Sequence, residues 1–145
     1  MKYIEKQVQE PDVFVRWRKK GGWDASDPAN ESFDQKAWEL KQEIKELLLE
    51  EQGFICCYCE ERVATDNSHI EHLLPKGNPK YADVKSDYNN LFCSCSRGDS
   101  CGHAKSSFET CVPPSMEDCE DYFEYKDDGR IKGKNTDAIP LFGKG

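Results

Sequence analysis

Histidine is nearly absent from this chain: three in 145 residues, with only two methionines. No apolar run is long enough to span a membrane, and nothing at the start reads as an export signal. Those absences argue against a membrane partner and lead us to expect a cytoplasmic protein. Positive charge is also short. Twenty lysines and arginines face 28 acidic residues, for a formal net charge of -8. An acidic surface repels phosphate backbones, which disfavours nonspecific binding to nucleic acid, but acidity also serves solubility and the charge by itself does not choose between the two. A chain of this charge acting on DNA would need a metal at the phosphate and a partner supplying positive surface. Internal repeats are missing too. With 37% hydrophobic and 33% charged residues, the expectation is one domain with a modest core that a metal staple would help.

What the chain does have is cysteine. There are eight, and without an export signal metal binding is a better reading than disulfides. All three histidines fall inside one cysteine-framed stretch, Cys56 to Lys105. Cys56 and Cys59 have the CxxC spacing that lets two thiolates meet one tetrahedral Zn²⁺. The second pair must come from Cys93, Cys95 and Cys101. Cys95 and Cys101 enclose Ser-Arg-Gly-Asp-Ser, a turn with room to bring both sulfurs together. Structural Zn²⁺ is therefore assigned to Cys56, Cys59, Cys95 and Cys101. Cys57 and Cys93 are left as substitutes or as small buried hydrophobes, and Cys111 and Cys119 as free thiols.

Between the cysteines lie the ingredients of phosphodiester hydrolysis, which needs a base for water and a cation for the phosphate. His72 is the candidate base, because imidazole titrates near neutrality. Glu71 offers an oxygen to a hard cation such as Mg²⁺ or Mn²⁺. Neighbours on a strand face opposite ways, so a local turn is expected to bring both into the site. Asn90 is expected to fix the loop carrying His72 through side-chain to backbone bonds. His103 is the candidate to complete the cation site, and Lys105 to approach the phosphate. His69 reads as a hydrogen-bonded surface histidine.

Residues 1–31 look irregular or partly strand-like. Their basic, aromatic cluster, Arg16 to Lys20, reads equally well as a nucleic-acid or partner grip and as a packed stem. A helix is expected over Phe33–Gln52, with a capping box at Ser32 and Gln35, a stop at Gly53, and a stripe of Ala37, Leu40, Ile44, Leu47 and Leu48. It reads as a packing helix without chemistry. Segments 54–63 and 68–72 suit a small hairpin, Gly77 to Lys80 a loop, and Gly102 to Ser107 a short helix. Asp128-Gly129 marks a turn between Tyr122–Tyr125 and Arg130-Ile131. Ile139 to Gly143 end without a capping element. The expected division is an N-terminal arm and packing helix (1–53), a zinc-framed core (54–108) and an acidic extension with a hairpin (109–145).

Cys-x-x-Cys, Glu-His-x-x-Pro, Asp-x-x-Asn-Leu and the closing Cys-Gly-His-x-Lys resemble an HNH endonuclease of the ββα-metal type with a four-cysteine zinc frame. Pro11 with Trp17, Cys56-Cys57-Tyr58-Cys59-Glu60, His69-Ile70-Glu71-His72, Pro75-Lys76 and Cys119-Glu120-Asp121-Tyr122-Phe123 resemble, more narrowly, the HNH nuclease subunit of the Septu anti-phage system, also found beside retrons. The resemblance implies an α+β fold and a metal-dependent DNA nuclease. It also implies an ABC/SMC-like ATPase partner and defence against phage. By motif position it implies His72 as general base, Glu71 as the acidic cation contact, Asn90 as the central asparagine and His103 as the final ligand. Two departures stand out. The common pattern puts the last histidine or asparagine directly after the last cysteine, where this chain has Gly102. The chain also stops soon after Lys144, whereas related subunits continue further, which leaves either a short member or a trimmed one lacking a partner-docking segment. Competing expectations are a zinc-stapled interaction module without catalysis, and an RNA or tRNA nuclease, since a site that grips phosphate reads no base.

Overall fold

A computed structural model describes residues 1–134. The expected uncapped end at Ile139 to Gly143 lies outside them. The fold is α+β, four short-to-medium helices with two small antiparallel sheets.

The N-terminal 31 residues are not strand-like. They form α1 (Asp12–Lys19) and α2 (Gly22–Ala25). No side chain caps α1, whose N-cap is Pro11, so the usual start signal is missing. Burial of Val13, Phe14 and Trp17 on one face takes its place. Trp17 is thus a core residue, while Arg16 and Arg18 pair with Asp12, Glu43 and Glu10 at the surface.

The long helix α3 (Gln35–Glu51) starts later than expected. Asp34, not Ser32, is the cap: its Oδ1 accepts from the Ala37 amide at 2.9 Å, and the Ser32 hydroxyl turns to Asn30. The stop falls at Gly53, whose φ of 65° allows the Phe54 amide to reach Leu49 O and its own amide to reach Glu50 O. Those two bonds make a Schellman ending. Ala37, Ile44, Leu48 and Leu49 face the core.

The strand β1 (Ser68–His72) does not pair with 54–63. It pairs antiparallel with β2 (Leu91–Cys95), from Ser68 opposite Cys95 to His72 opposite Leu91. Segment 54–63 closes on itself through a single Ile55–Arg62 bridge, because its cysteines turn into a knuckle rather than extend. All of β2 is buried, with α3 and the short α4 (Cys101–Lys105) packed against it, hence its run of Leu-Phe-Cys without polar alternation. The expected C-terminal hairpin is β3 (Phe123–Tyr125) with β4 (Ile131–Gly133). One core joins all three expected segments: Met1, Ile4 and Phe14 meet Leu48, Cys57 and Phe92, and also Val112, Cys119 and Phe123.

Candidate active site and metal centre

The sulfurs of Cys56, Cys59, Cys95 and Cys101 all lie within 4.8 Å of one another. Three local devices supply them. Cys56 and Cys59 sit in a turn ended by Glu60 at φ 65°, Cys95 at the end of β2, and Cys101 at the first residue of α4. Cys101 has φ 56°, a left-handed conformation that is costly for a side chain and is kept where the surroundings demand it. Cys56 Sγ accepts from the Cys95 and Tyr58 amides at 3.3 and 3.5 Å. Thiol donors, Cys101 first and then Cys57 and Cys59, hold it well below the usual thiol range. Amide donors and a closed set of four thiols at these distances fit a tetrahedral Zn²⁺.

The other cysteines stay outside. Cys93 Sγ points at the Lys45 carbonyl of α3, 3.7 Å away, and burial pushes its thiol up to about 12. Cys57 is buried beside it, its amide bonded to Cys93 O. Cys111 is exposed and Cys119 buried.

Over β1 and α4 opens a cleft of about 350 Å³, lined among others by His69, Glu71, His72, Gly102 and His103. No turn was needed to bring Glu71 and His72 together. They are consecutive on β1 and face opposite ways, but His72 is the last residue of the strand, so both reach the cleft at its end.

Glu71 is nearly buried and fully engaged. Its Oε1 accepts from Lys105 Nζ and the Tyr58 hydroxyl, both at 3.1 Å, and its Oε2 lies 3.3 Å from His69 Nε2. Burial alone would raise its pKa, but His69 and the Lys105 ammonium outweigh that and hold it below the usual range. The Lys105 expectation therefore needs correction. Its side chain is buried, with Nζ on Glu71 and, at 3.0 Å, on the His72 carbonyl, so it props the site from beneath rather than facing a phosphate.

His72 Nε2 lies 3.0 Å from the Lys85 carbonyl, and its ring packs edge to face with Trp23, the centroids 4.4 Å apart. Burial in this pocket, with Lys76 nearby, lowers its pKa to about 4. Asn90 binds backbone only: its Oδ1 accepts from the Leu74 amide at 2.7 Å, and its Nδ2 donates to Leu74 O and Val84 O. Two of these bonds clamp Leu74, on the chain leaving β1 just after His72, and the third ties in Val84.

His103 stands exposed on α4, its ring 4.5 Å from that of His69. His69, expected to be a hydrogen-bonded surface histidine, is hydrogen-bonded but lies in the cleft, between Glu71 and His103. The missed signal was its i, i+2 spacing to Glu71, which on a strand places both on one face. Gly102 explains the room. A Cβ there would lie 2.4 Å from Glu71 Oε2 and 2.7 Å from His69 Nε2. Nδ1 of His69 is buried and unpartnered and its Nε2 is taken up by Glu71, so among the described residues the cysteine set is the one group of three or more ligand side chains that closes on a point. Glu71 supplies the hard oxygen in the cleft and His103 an exposed imidazole.

The chain is 28% identical over 97 residues to the "Retron Vc95 putative HNH endonuclease" of Vibrio cholerae serotype O1 biovar El Tor, a match covering 63% of this chain and 47% of that one. It thus spans about half the length of the curated relative it matches. Among solved structures it is similar to the Type II-C Cas9 of Actinomyces naeslundii, at 21% identity and a TM-score of 0.41 over 70% of this chain and 9% of that one. No family model matches. The resemblance to HNH endonucleases carried by the motifs is thus met by a curated relative of that description. Among the described residues, no helix is long and apolar enough to cross a membrane.

Proposed function

We propose that this chain is a metal-dependent HNH-type endonuclease that hydrolyses DNA phosphodiester bonds. One observation carries the reading: the tautomer built into His72. A carbonyl only accepts hydrogen bonds, so the proton sits on Nε2, facing Lys85 O, and the lone pair stays on Nδ1. Held neutral by burial, that nitrogen takes the proton of the attacking water. Asn90 keeps the following loop, and hence the ring, in place. Glu71 and His103 would hold Mg²⁺ or Mn²⁺, which when bound would neutralise charge at the scissile phosphate. Cys56, Cys59, Cys95 and Cys101 would hold Zn²⁺ as a staple.

The proposal extends to context. The net charge of -8 supports a partner that supplies positive surface. The Septu-like motifs point to an ABC/SMC-like ATPase in that role, acting with this chain on phage DNA in the cytoplasm.

Cleavage of supercoiled plasmid by zinc-loaded wild type and His72→Ala, with Mn²⁺ or Mg²⁺, tests the reading. Cutting by wild type alone is expected. Cutting that survives His72→Ala sinks the mechanism, and cutting of RNA but not DNA moves the substrate class. Folded protein that cuts neither, with or without the ATPase, leaves a zinc-stapled interaction module.

A further inference from the structure

Trp23 carries two ammonium groups. Lys41 Nζ lies 4.0 Å and Lys76 Nζ 4.4 Å from its ring centroid. The three residues come from distant places: Trp23 from α2, Lys41 from the middle of α3, and Lys76 from the loop after β1. Among the described residues, neither ammonium has a carboxylate within ion-pair distance, and Asp27 acts on Lys41 only at longer range. Lys41 is half-buried, and its pKa is lowered by that burial first and by Lys76 next.

Two like charges over one ring, one of them partly desolvated, repel each other. Contact with an indole returns only about 0.5–1 kcal/mol per ammonium at exposed sites. A bound anion would remove the conflict. Lys45, one turn along α3, adds a third positive charge, though its ammonium is held by the carbonyls of Thr65 and Ser68.

Position says which anion. Trp23, Lys41, Lys45 and Lys76 line a groove that also includes His69 and His103, and so runs into the cleft of Glu71 and His72. The Trp23 and His72 rings themselves meet edge to face. A strand presenting one phosphate to His72 would lay a neighbouring phosphate in this groove. We infer that Lys41 and Lys76, held over Trp23, clamp a backbone phosphodiester of the nucleic-acid strand beside the one being cut. The inference rests on the nuclease reading for the identity of the strand. It gives an otherwise acidic chain a local grip on its substrate, and it gives α3 a function beyond packing.

Binding separates the clamp from catalysis. Anisotropy of a fluorescein-labelled DNA, single-stranded and duplex, is followed over a salt series with zinc-loaded chain and no Mg²⁺ or Mn²⁺. Lys41→Gln and Lys76→Gln should each weaken binding roughly tenfold near 0.1 M salt and lower the log–log salt slope by about 1. The double variant should lose roughly a hundredfold by the same arithmetic. Lys41→Arg should keep binding, and Lys36→Gln, an exposed position on the same helix, should change nothing. Double-variant binding at wild-type affinity and slope overturns the clamp, as does an equal loss in Lys36→Gln or a wild type that binds neither DNA. If the lysines govern binding but neither cation supports cutting, the clamp stands and the nuclease reading falls. If the double variant cuts with wild-type KM, the nuclease reading stands and the clamp falls.

Discussion

The cysteine cluster and the cleft share one 50-residue stretch but solve opposite problems. In the cluster, four equivalent sulfurs close on a point, two amides donate to Cys56, and three of the four cysteines are buried. In the cleft, one carboxylate and three imidazoles stand along an open wall, and His103 is exposed. A closed, saturated donor set suits a metal that only holds, whereas an open one leaves room for water and a phosphate. The two regions meet at α4, whose first residue is Cys101 and whose last is Lys105, the prop of Glu71. One short helix therefore ties the cluster to the cleft.

Breaking the cluster should have the largest effect. Metal binding by four cysteines is worth on the order of 10 kcal/mol in zinc-finger peptides, so strong chelation should collapse the circular dichroism and the thermal transition. A melting curve indifferent to chelation would refute the four-cysteine assignment.

Damage to the cleft should be smaller and should leave the zinc in place. Glu71→Ala removes the carboxylate partner of a buried ammonium, Lys105. Breaking one side of such a pair costs about 3–5 kcal/mol, measurable by urea unfolding, while zinc content should match wild type. Loss of zinc in this variant would mean that the two regions are one site.

The smallest effect concerns pH. The His72 pKa is lowered to about 4 in the folded state, below the roughly 6.5 of a free histidine. The unfolded chain then binds a proton first, so this contribution to stability is present above about pH 6.5 and is lost as pH falls toward 4. The loss is on the order of 3 kcal/mol. His72→Gln, compared with wild type at saturating zinc across that window, should show a shallower decline. Parallel slopes would show that His72 is not held neutral by its pocket.

Legibility followed range. Spacing and local chemistry place the cysteine knuckle, the Gly53 stop, the Asp128-Gly129 hairpin and the Glu71-His72 doublet, because each depends on residues a few positions apart. α1 was missed because Pro11 offers no capping side chain and the helix owes its existence to Phe14 and Trp17 finding a core. The partner of β1 was missed because strand pairing across 18 intervening residues leaves no local trace. Asp34 replaced Ser32 as the cap because either side chain could serve and only the packed helix chose.

By itself, then, the sequence determined the residue types that make the chemistry: a thiolate set, a carboxylate beside an imidazole, an asparagine to brace them. Those are local and covalent in origin. Tertiary structure alone decided that His69 lies beside His103, that Lys105 supports the site rather than the substrate, and that Lys41 and Lys76 share Trp23. Each of those contacts joins elements whose approach depends on the whole core, and burial then sets which charges are paired.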